Sequence, residues 1–189
     1  WNGVECGRCD EKRESPFTDV PNNSWFLDSV LWAVENGITT GISDTMFAPN
    51  QNSNRAQAVT FLWRAAGCPE PVSGVNPFED VQESNFFYKP VLWAVEKGIT
   101  TGIDDTHFAP DMECNRAQII TFLYRAMGAP EVENRVNPFV DVNVGDFYFD
   151  AVLWAMENEI TTGITVDHFA PAALCNRAQI VTFLYRAYN

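Results

Sequence analysis

The chain has 189 residues, enough for one or two domains, and 46% of them are hydrophobic, so a sizeable core is available. Lys and Arg number 12 against 25 Asp and Glu, a formal charge of −13. So acidic a body does not hold nucleic acid or an anionic membrane through its overall field, and no run of about 18 apolar residues exists to cross a bilayer.

Residues 1–15 read as a tail or linker that opens at Trp1 with a polar stretch and no signal sequence, as a mature or excised segment would. Cys6 and Cys9 form a lone CxxC within it. Half a zinc site, a redox pair and a local disulfide are all open readings, but no second CxxC completes a four-thiolate set. From Pro16 onward the chain repeats every 61 residues: Phe17, Phe78 and Phe139 open three copies, with Trp32, Trp93 and Trp154 at one matching place and Arg55, Arg116 and Arg177 at another. The copies run 16–66, 77–127 and 138–188, joined by Gly- and Pro-bearing connectors. A unit of this kind buries its apolar face only against its neighbours, so a residue recurring in all copies is either structural or part of a site presented three times.

Each copy has one plan. Pro-Phe-x-Asp-Val places Asp19, Asp80 and Asp141, and an aromatic pair follows whose first members are Trp25, Phe86 and Phe147. Apolar residues at Phe26, Val30, Ala33 and Val34 then have helical spacing, and Asn36-Gly37 ends that helix because Gly accepts a left-handed backbone. The third copy has Glu159 in place of this Gly, which predicts a strained end. Pro90 must lie in the first turn of its helix. Ile-Thr-Thr-Gly-Ile and Phe-Ala-Pro follow, two short pieces that could pair as a small ribbon. Asn-Arg-Ala-Gln at 54–57, 115–118 and 176–179 opens a second helix, to about Ala66 in the first copy, with Asn as N-cap and Gln closing a capping box. The unit is helix, structured loop, helix. Cys114 and Cys175 stand where the first copy has Ser53 and read as small buried packing residues.

The capping motif does not account for its Arg. A cation in the first helical turn opposes the helix dipole, at about 0.3–1 kcal/mol, and this chain repeats the mismatch three times while short of basic residues. Beside exposed helix N–H groups, a guanidinium makes a receptor for a carboxylate or phosphate. The structural alternative is an internal ion pair with the recurring Asp19, Asp80 and Asp141 or with Glu35, Glu96 and Glu157. The later Arg64, Arg125 and Arg186 suit the helix C-terminus and read as structural. Trp32, Trp93 and Trp154 read as packing anchors, whereas Trp25, Phe86 and Phe147 at the helix entrance offer faces on which a sugar could stack. Gly41, Gly102 and Gly163 are either required turns or amides that a ligand approaches closely. Asp44, Asp104, Asp105 and Asp167 read as turn residues, since no EF-hand pattern accompanies them and Val166 breaks the series. His107 and His168 are lone. No metal or cofactor is expected, and the carboxylates, Asp19 with Glu35 for example, lack a nucleophile motif for a glycan-cleaving enzyme.

These residues resemble the S-layer homology family. The resemblance runs through Phe17-Thr18-Asp19-Val20, Trp32-Ala33-Val34-Glu35-Asn36-Gly37-Ile38-Thr39-Thr40-Gly41, Phe47-x-Pro49 and Asn54-Arg55-Ala56-Gln57, the last matching the family's Thr-Arg-Ala-Glu, and recurs over 16–188. It implies a mainly α, pseudo-threefold spindle of three modules around a central helical bundle. It also implies a non-enzymatic module, monomeric in isolation, at the surface of a Gram-positive-type wall. There it would bind an acidic, pyruvylated secondary cell-wall polysaccharide in grooves between modules. Arg55, Arg116 and Arg177 would meet the pyruvyl carboxylate. Asp19, Asp80 and Asp141, Gly41, Gly102 and Gly163, and the entrance aromatics would complete the sites. Asn for Thr and Gln for Glu depart from the motif; both keep capping ability, and Gln removes one negative charge. The rival reading is a structural or protein-interaction scaffold whose Arg residues are internal.

Overall fold

The structure, a computed structural model, describes residues 14–189; the Cys6–Cys9 pair lies outside them. Six helices form among the described residues, two per copy: α1 (Leu27–Glu35), α2 (Arg55–Ala65), α3 (Tyr88–Glu96), α4 (Arg116–Ala126), α5 (Phe149–Glu157) and α6 (Arg177–Tyr188). The mainly α expectation holds.

The first helix of each copy buries an apolar stripe, Leu27, Val30, Leu31 and Ala33 in α1. Its stop is the left-handed residue just beyond it: Gly37 at φ +67°, Gly98 at +66° and Glu159 at +57°. Glu159 thus bears the strain that glycine avoids. Pro90 sits in the first turn of α3, where its missing N–H costs nothing. Each second helix starts with the full capping box: Asn54 accepts from the Gln57 amide, and the Gln57 side chain accepts from Asn54 N–H, as do Asn115 with Gln118 and Asn176 with Gln179.

The helices α2, α4 and α6 pack on one another as the central bundle. The outer helices pack across copies: α3 lies on α2, α5 on α4, and α1 returns to α6. The three copies therefore close into a ring. At its centre Cys114 N–H donates to the Ser53 carbonyl at 2.9 Å, Cys175 to Cys114 at 2.9 Å and Ser53 to Cys175 at 3.1 Å. All three side chains are fully buried, and burial pushes both thiols up to about 12, so they are protonated packing groups at neutral pH.

The expected ribbon does not form. Within the first copy only an isolated Ser43–Met46 bridge appears, and the remaining bridges, such as Asn54–Glu113, join different copies. Left-handed backbone at Gly41 (+86°) and Ala48 (+58°) turns the chain before a ladder can extend. Trp93 and Trp154 are buried anchors; Trp32 is half-buried, its ring 5.7 Å from Tyr185 across the closing seam.

Candidate functional site: cationic grooves between copies

Each motif Arg leaves its own helix and reaches the next copy. Arg55 Nε donates to the Phe108 carbonyl at 2.7 Å, Arg116 to Phe169 at 2.9 Å and Arg177 to Phe47 at 2.8 Å. The guanidiniums lie over two phenyl faces each, Arg55 at 4.7 Å from Phe108 and 5.4 Å from Phe122. Nη2 of Arg55 and of Arg177 meets the Thr100 and Thr39 hydroxyls at 3.3 Å, whereas the buried Arg116 Nη2 has no protein partner among the described residues. Desolvation pulls all three guanidiniums down from their ordinary value, yet no carboxylate stands within ion-pair distance of any of them among the described residues.

The recurring carboxylates act on the loop instead. Asp19 accepts from Phe47 N–H at 2.9 Å and Ala48 N–H at 2.7 Å, and Phe47 is the residue whose carbonyl holds Arg177. Asp80 grips Phe108 and Ala109, and Asp141 grips Phe169 and Ala170, in the same way. The gripped Ala48, Ala109 and Ala170 have φ near +57°, a conformation alanine adopts only when its surroundings fix it. Each Asp is therefore a positioning group for an Arg of another copy. Glu96 and Glu157 accept amides of the connectors, Val72 and Ser73 for the former, Glu133 and Asn134 for the latter.

Two open grooves contain Arg55 and Arg116. One, of about 280 Å³, has Arg55 from the first copy, Thr101 and Arg125 from the second and Phe147 from the third. The other, of about 210 Å³, has Arg116 from the second copy, Thr162 and Arg186 from the third and Trp25 from the first. Each groove thus draws on all three copies and holds two guanidiniums with no carboxylate in its lining. By the repeat, the third such set is Arg177, Thr40, Arg64 and Phe86, and Arg177 does reach the loop at Thr39 and Phe47.

The helix N–H groups expected beside the Arg are not free. Arg55 N–H donates to the Met112 carbonyl, Ala56 N–H to Pro110 and Gln57 N–H to its own cap Asn54; α4 and α6 are closed likewise by Ala173, Pro171, Gln51 and Pro49. The ring seam consumes the donors that an isolated helix would offer an anion.

Gly41, Gly102 and Gly163 sit at φ +86° to +88°, and a Cβ there would meet a phenyl carbon and two carbonyl oxygens at 2.5–2.9 Å. Their amides bond the Thr39, Thr100 and Thr161 hydroxyls at 3.2 Å, so these glycines set the groove wall rather than offer a free donor. Trp25, Phe86 and Phe147 are two-thirds exposed, each held edge-on by its neighbour, Trp25 at 5.2 Å from Phe26.

Sequence reasoning missed three groove groups. Thr40, Thr101 and Thr162 are exposed, with no protein acceptor for their backbone N–H among the described residues; their invariance across the copies was the available signal. Arg125 and Arg186 bond the Ile99 and Ile160 carbonyls as structural residues do, but also line the grooves. Gln118 keeps its Oε1 on the cap and leaves its amide nitrogen for the groove that contains Arg55, not the one that contains Arg116.

A ring of helical repeats with basic, aromatic-edged clefts between copies is the architecture the chain shares with a known class of surface module. Residues 16–59 and 77–120 match the S-layer homology domain, and the chain belongs to that family. It is 32% identical over 171 residues to an endoglucanase of Bacillus sp. (strain KSM-635), covering 87% of this chain and 18% of the relative. It is 28% identical to an S-layer protein of Bacillus thuringiensis subsp. finitimus (89% and 21%) and 27% identical to the S-layer protein sap of Bacillus anthracis (89% and 20%). The chain spans about a fifth of the length of these curated relatives. The family places the chain at the cell surface and assigns it to cell-wall anchoring in general.

Proposed function

We propose that the chain is a non-enzymatic anchor that binds a pyruvylated secondary cell-wall polysaccharide in the grooves between its copies, with 138–188 as a third module equivalent to the two matched ones. The observation that carries this reading is the convergence of two guanidiniums on each groove, without a carboxylate, in a chain of charge −13. A carboxylate on a sugar ring fits that charge. The Arg forks donate to it, the free Thr101 or Thr162 amide adds a neutral donor, and Phe147 or Trp25 packs on the ring. The grooves are smaller than the ~300–1,000 Å³ of ordinary ligand pockets, which suits one terminal sugar each rather than a length of chain. Several grooves engaging one wall add avidity.

The scaffold reading draws on the Arg Nε bonds to Phe carbonyls, which hold copies together whether or not ligand binds. Isothermal titration separates the two. Pyruvylated wall polymer should bind, and the same polymer after mild acid removal of its pyruvyl ketals should lose at least tenfold in affinity. Binding of neither polymer leaves the scaffold, and equal binding of both refutes the carboxylate as the recognised group.

A further inference from the structure

A second kind of cleft lies outside the Arg grooves, where α2 meets the start of α3. It measures about 320 Å³ and is walled by Trp63, Phe86 and Tyr88, with Glu83, Asn85 and Lys89 at its rim. The Trp63 indole is fixed by donating to the Pro69 carbonyl at 2.8 Å. Asn85 Oδ1 accepts from Gln82 N–H at 2.7 Å, which leaves its amide nitrogen unengaged. Lys89 is turned to Glu70 at 2.8 Å, so the rim holds no free cation.

The corresponding place one copy later is occupied. Arg135 lies over the Phe149 ring at 5.6 Å and pairs with Asp150 at 2.8 Å. Phe149 and Asp150 are the repeat equivalents of Tyr88 and Lys89, and the equivalent of Arg135 is Gly74. Gly74 has open space around it but sits at φ +61°, a left-handed backbone that Arg135 does not share. One copy thus covers its aromatic face with a paired cation, and the other leaves its face bare, with the larger Trp63 where the covered copy has Tyr124.

We infer that this cleft is a subsite for an uncharged sugar unit, a hexose or N-acetylhexosamine, of the same wall polysaccharide whose acidic end occupies the neighbouring groove. Flat aromatic faces take the apolar side of a pyranose ring, and the Asn85 amide and Glu83 carboxylate suit hydroxyl or acetamido groups. Continuity argues for one polymer. Phe86 lines this cleft and is the repeat equivalent of Phe147 and Trp25, which edge the two Arg grooves, so the repeat assigns it to the edge of the Arg177 set as well. A chain held by its carboxylate at Arg177 would cross Phe86 to reach Trp63. The inference rests on the proposed function for its choice of polymer.

The test uses a closing variant, Gly74→Arg with Lys89→Asp, which sets an Arg–Asp pair beside Tyr88 after the pattern of Arg135 and Asp150; the left-handed backbone at residue 74 lowers its stability, so both proteins are compared at a temperature where each is fully folded. Two probes are titrated by calorimetry and by the NMR resonance of the Trp63 indole N–H: a methyl hexoside carrying a pyruvyl ketal, and a pyruvylated wall oligosaccharide of about six sugars. The hexoside should bind wild type and variant alike. The oligosaccharide should bind wild type about tenfold more tightly than the variant and shift Trp63 only in wild type. Equal oligosaccharide affinity for both proteins, or an unmoved Trp63 resonance, overturns the subsite. If the hexoside fails to bind while the oligosaccharide still shifts Trp63 and the variant abolishes the shift, the acid-groove reading fails and the neutral-sugar subsite stands. Unchanged NMR resonances away from the cleft guard against a folding artefact in the double variant, and Trp63→Ala, which removes the wall, should also weaken the oligosaccharide; an unweakened Trp63→Ala overturns the subsite.

Discussion

Gly102→Ala tests whether the groove wall is rigid. At φ +88° an alanine pays the left-handed penalty of about 1–2 kcal/mol. Its Cβ would also stand 2.5 Å from Phe78 Cε1, 2.6 Å from the His107 carbonyl oxygen and 2.7 Å from that of Asp104. The His107 oxygen is fixed by Ile103 N–H at 2.8 Å, so relief must come from the Phe78 ring, at an overpacking cost of about 1–3 kcal/mol. The sum, about 2–5 kcal/mol, corresponds to a fall in Tm of roughly 4–20 °C for a domain of this size. Gly98→Ala is the control: its φ is +66° but nothing lies within 4 Å, so only the backbone penalty applies, roughly 2–8 °C. Displacing Phe78 also presses on Phe108, 5.8 Å away, whose ring and carbonyl hold Arg55. Gly102→Ala should therefore weaken binding at the Arg55 groove, and Gly98→Ala should not. Scanning calorimetry of both variants is the assay. Equal melting points would mean that the loop yields freely and that the glycine is not what shapes the wall.

Glu159→Gly should raise Tm by roughly 2–4 °C, because it removes most of a left-handed penalty of about 1 kcal/mol at the stop of α5; calorimetry against wild type decides it. Ser53→Ala should be neutral or stabilising by up to about 1 kcal/mol in denaturant titration, since the buried Ser53 hydroxyl has no partner among the described residues and its desolvation is uncompensated. His107 should titrate above its ordinary 6.5 in an NMR pH series, chiefly because its ring bonds Asp104, and Asp104→Asn should bring it back. A raised value means that the contact's contribution is complete below the unfolded-state pKa and fades as pH rises through the folded one; a stability profile with the opposite slope would contradict the pairing.

The local plan was legible in the sequence because local chemistry writes it. Asn and Gln three apart fixed the starts of α2, α4 and α6, and Gly37 and Gly98 fixed helix ends, because each acts through backbone groups within a turn of itself. The site was legible as a residue set but not as a geometry. Periodicity says what recurs, not which copy a side chain enters. Arg55 meets a carbonyl 53 residues on, and Arg177 one 130 residues back, so the Arg and Gln of a single motif serve different grooves. The same seam took the helix amides, which no single repeat could have revealed.

That seam also bears on why an Arg occupies the first turn of each central helix. With the leading amides already bonded to Met112 and Pro110, the positive end of α2 is partly neutralised, and the dipole mismatch is smaller than in an isolated helix. The larger cost is desolvation, since each guanidinium is nearly buried, with two phenyl faces and a carbonyl for company and no carboxylate in contact. An apolar side chain of similar volume would satisfy a purely structural repeat as well or better, because buried charge seldom improves stability over hydrophobic packing. On the proposed function, a cation held at such cost in every copy, with a second guanidinium at the rim of each described groove, is a charge that awaits its counter-ion. A carboxylate arriving from outside would supply it, and the ligand-bound protein should melt higher by the linkage between binding and folding.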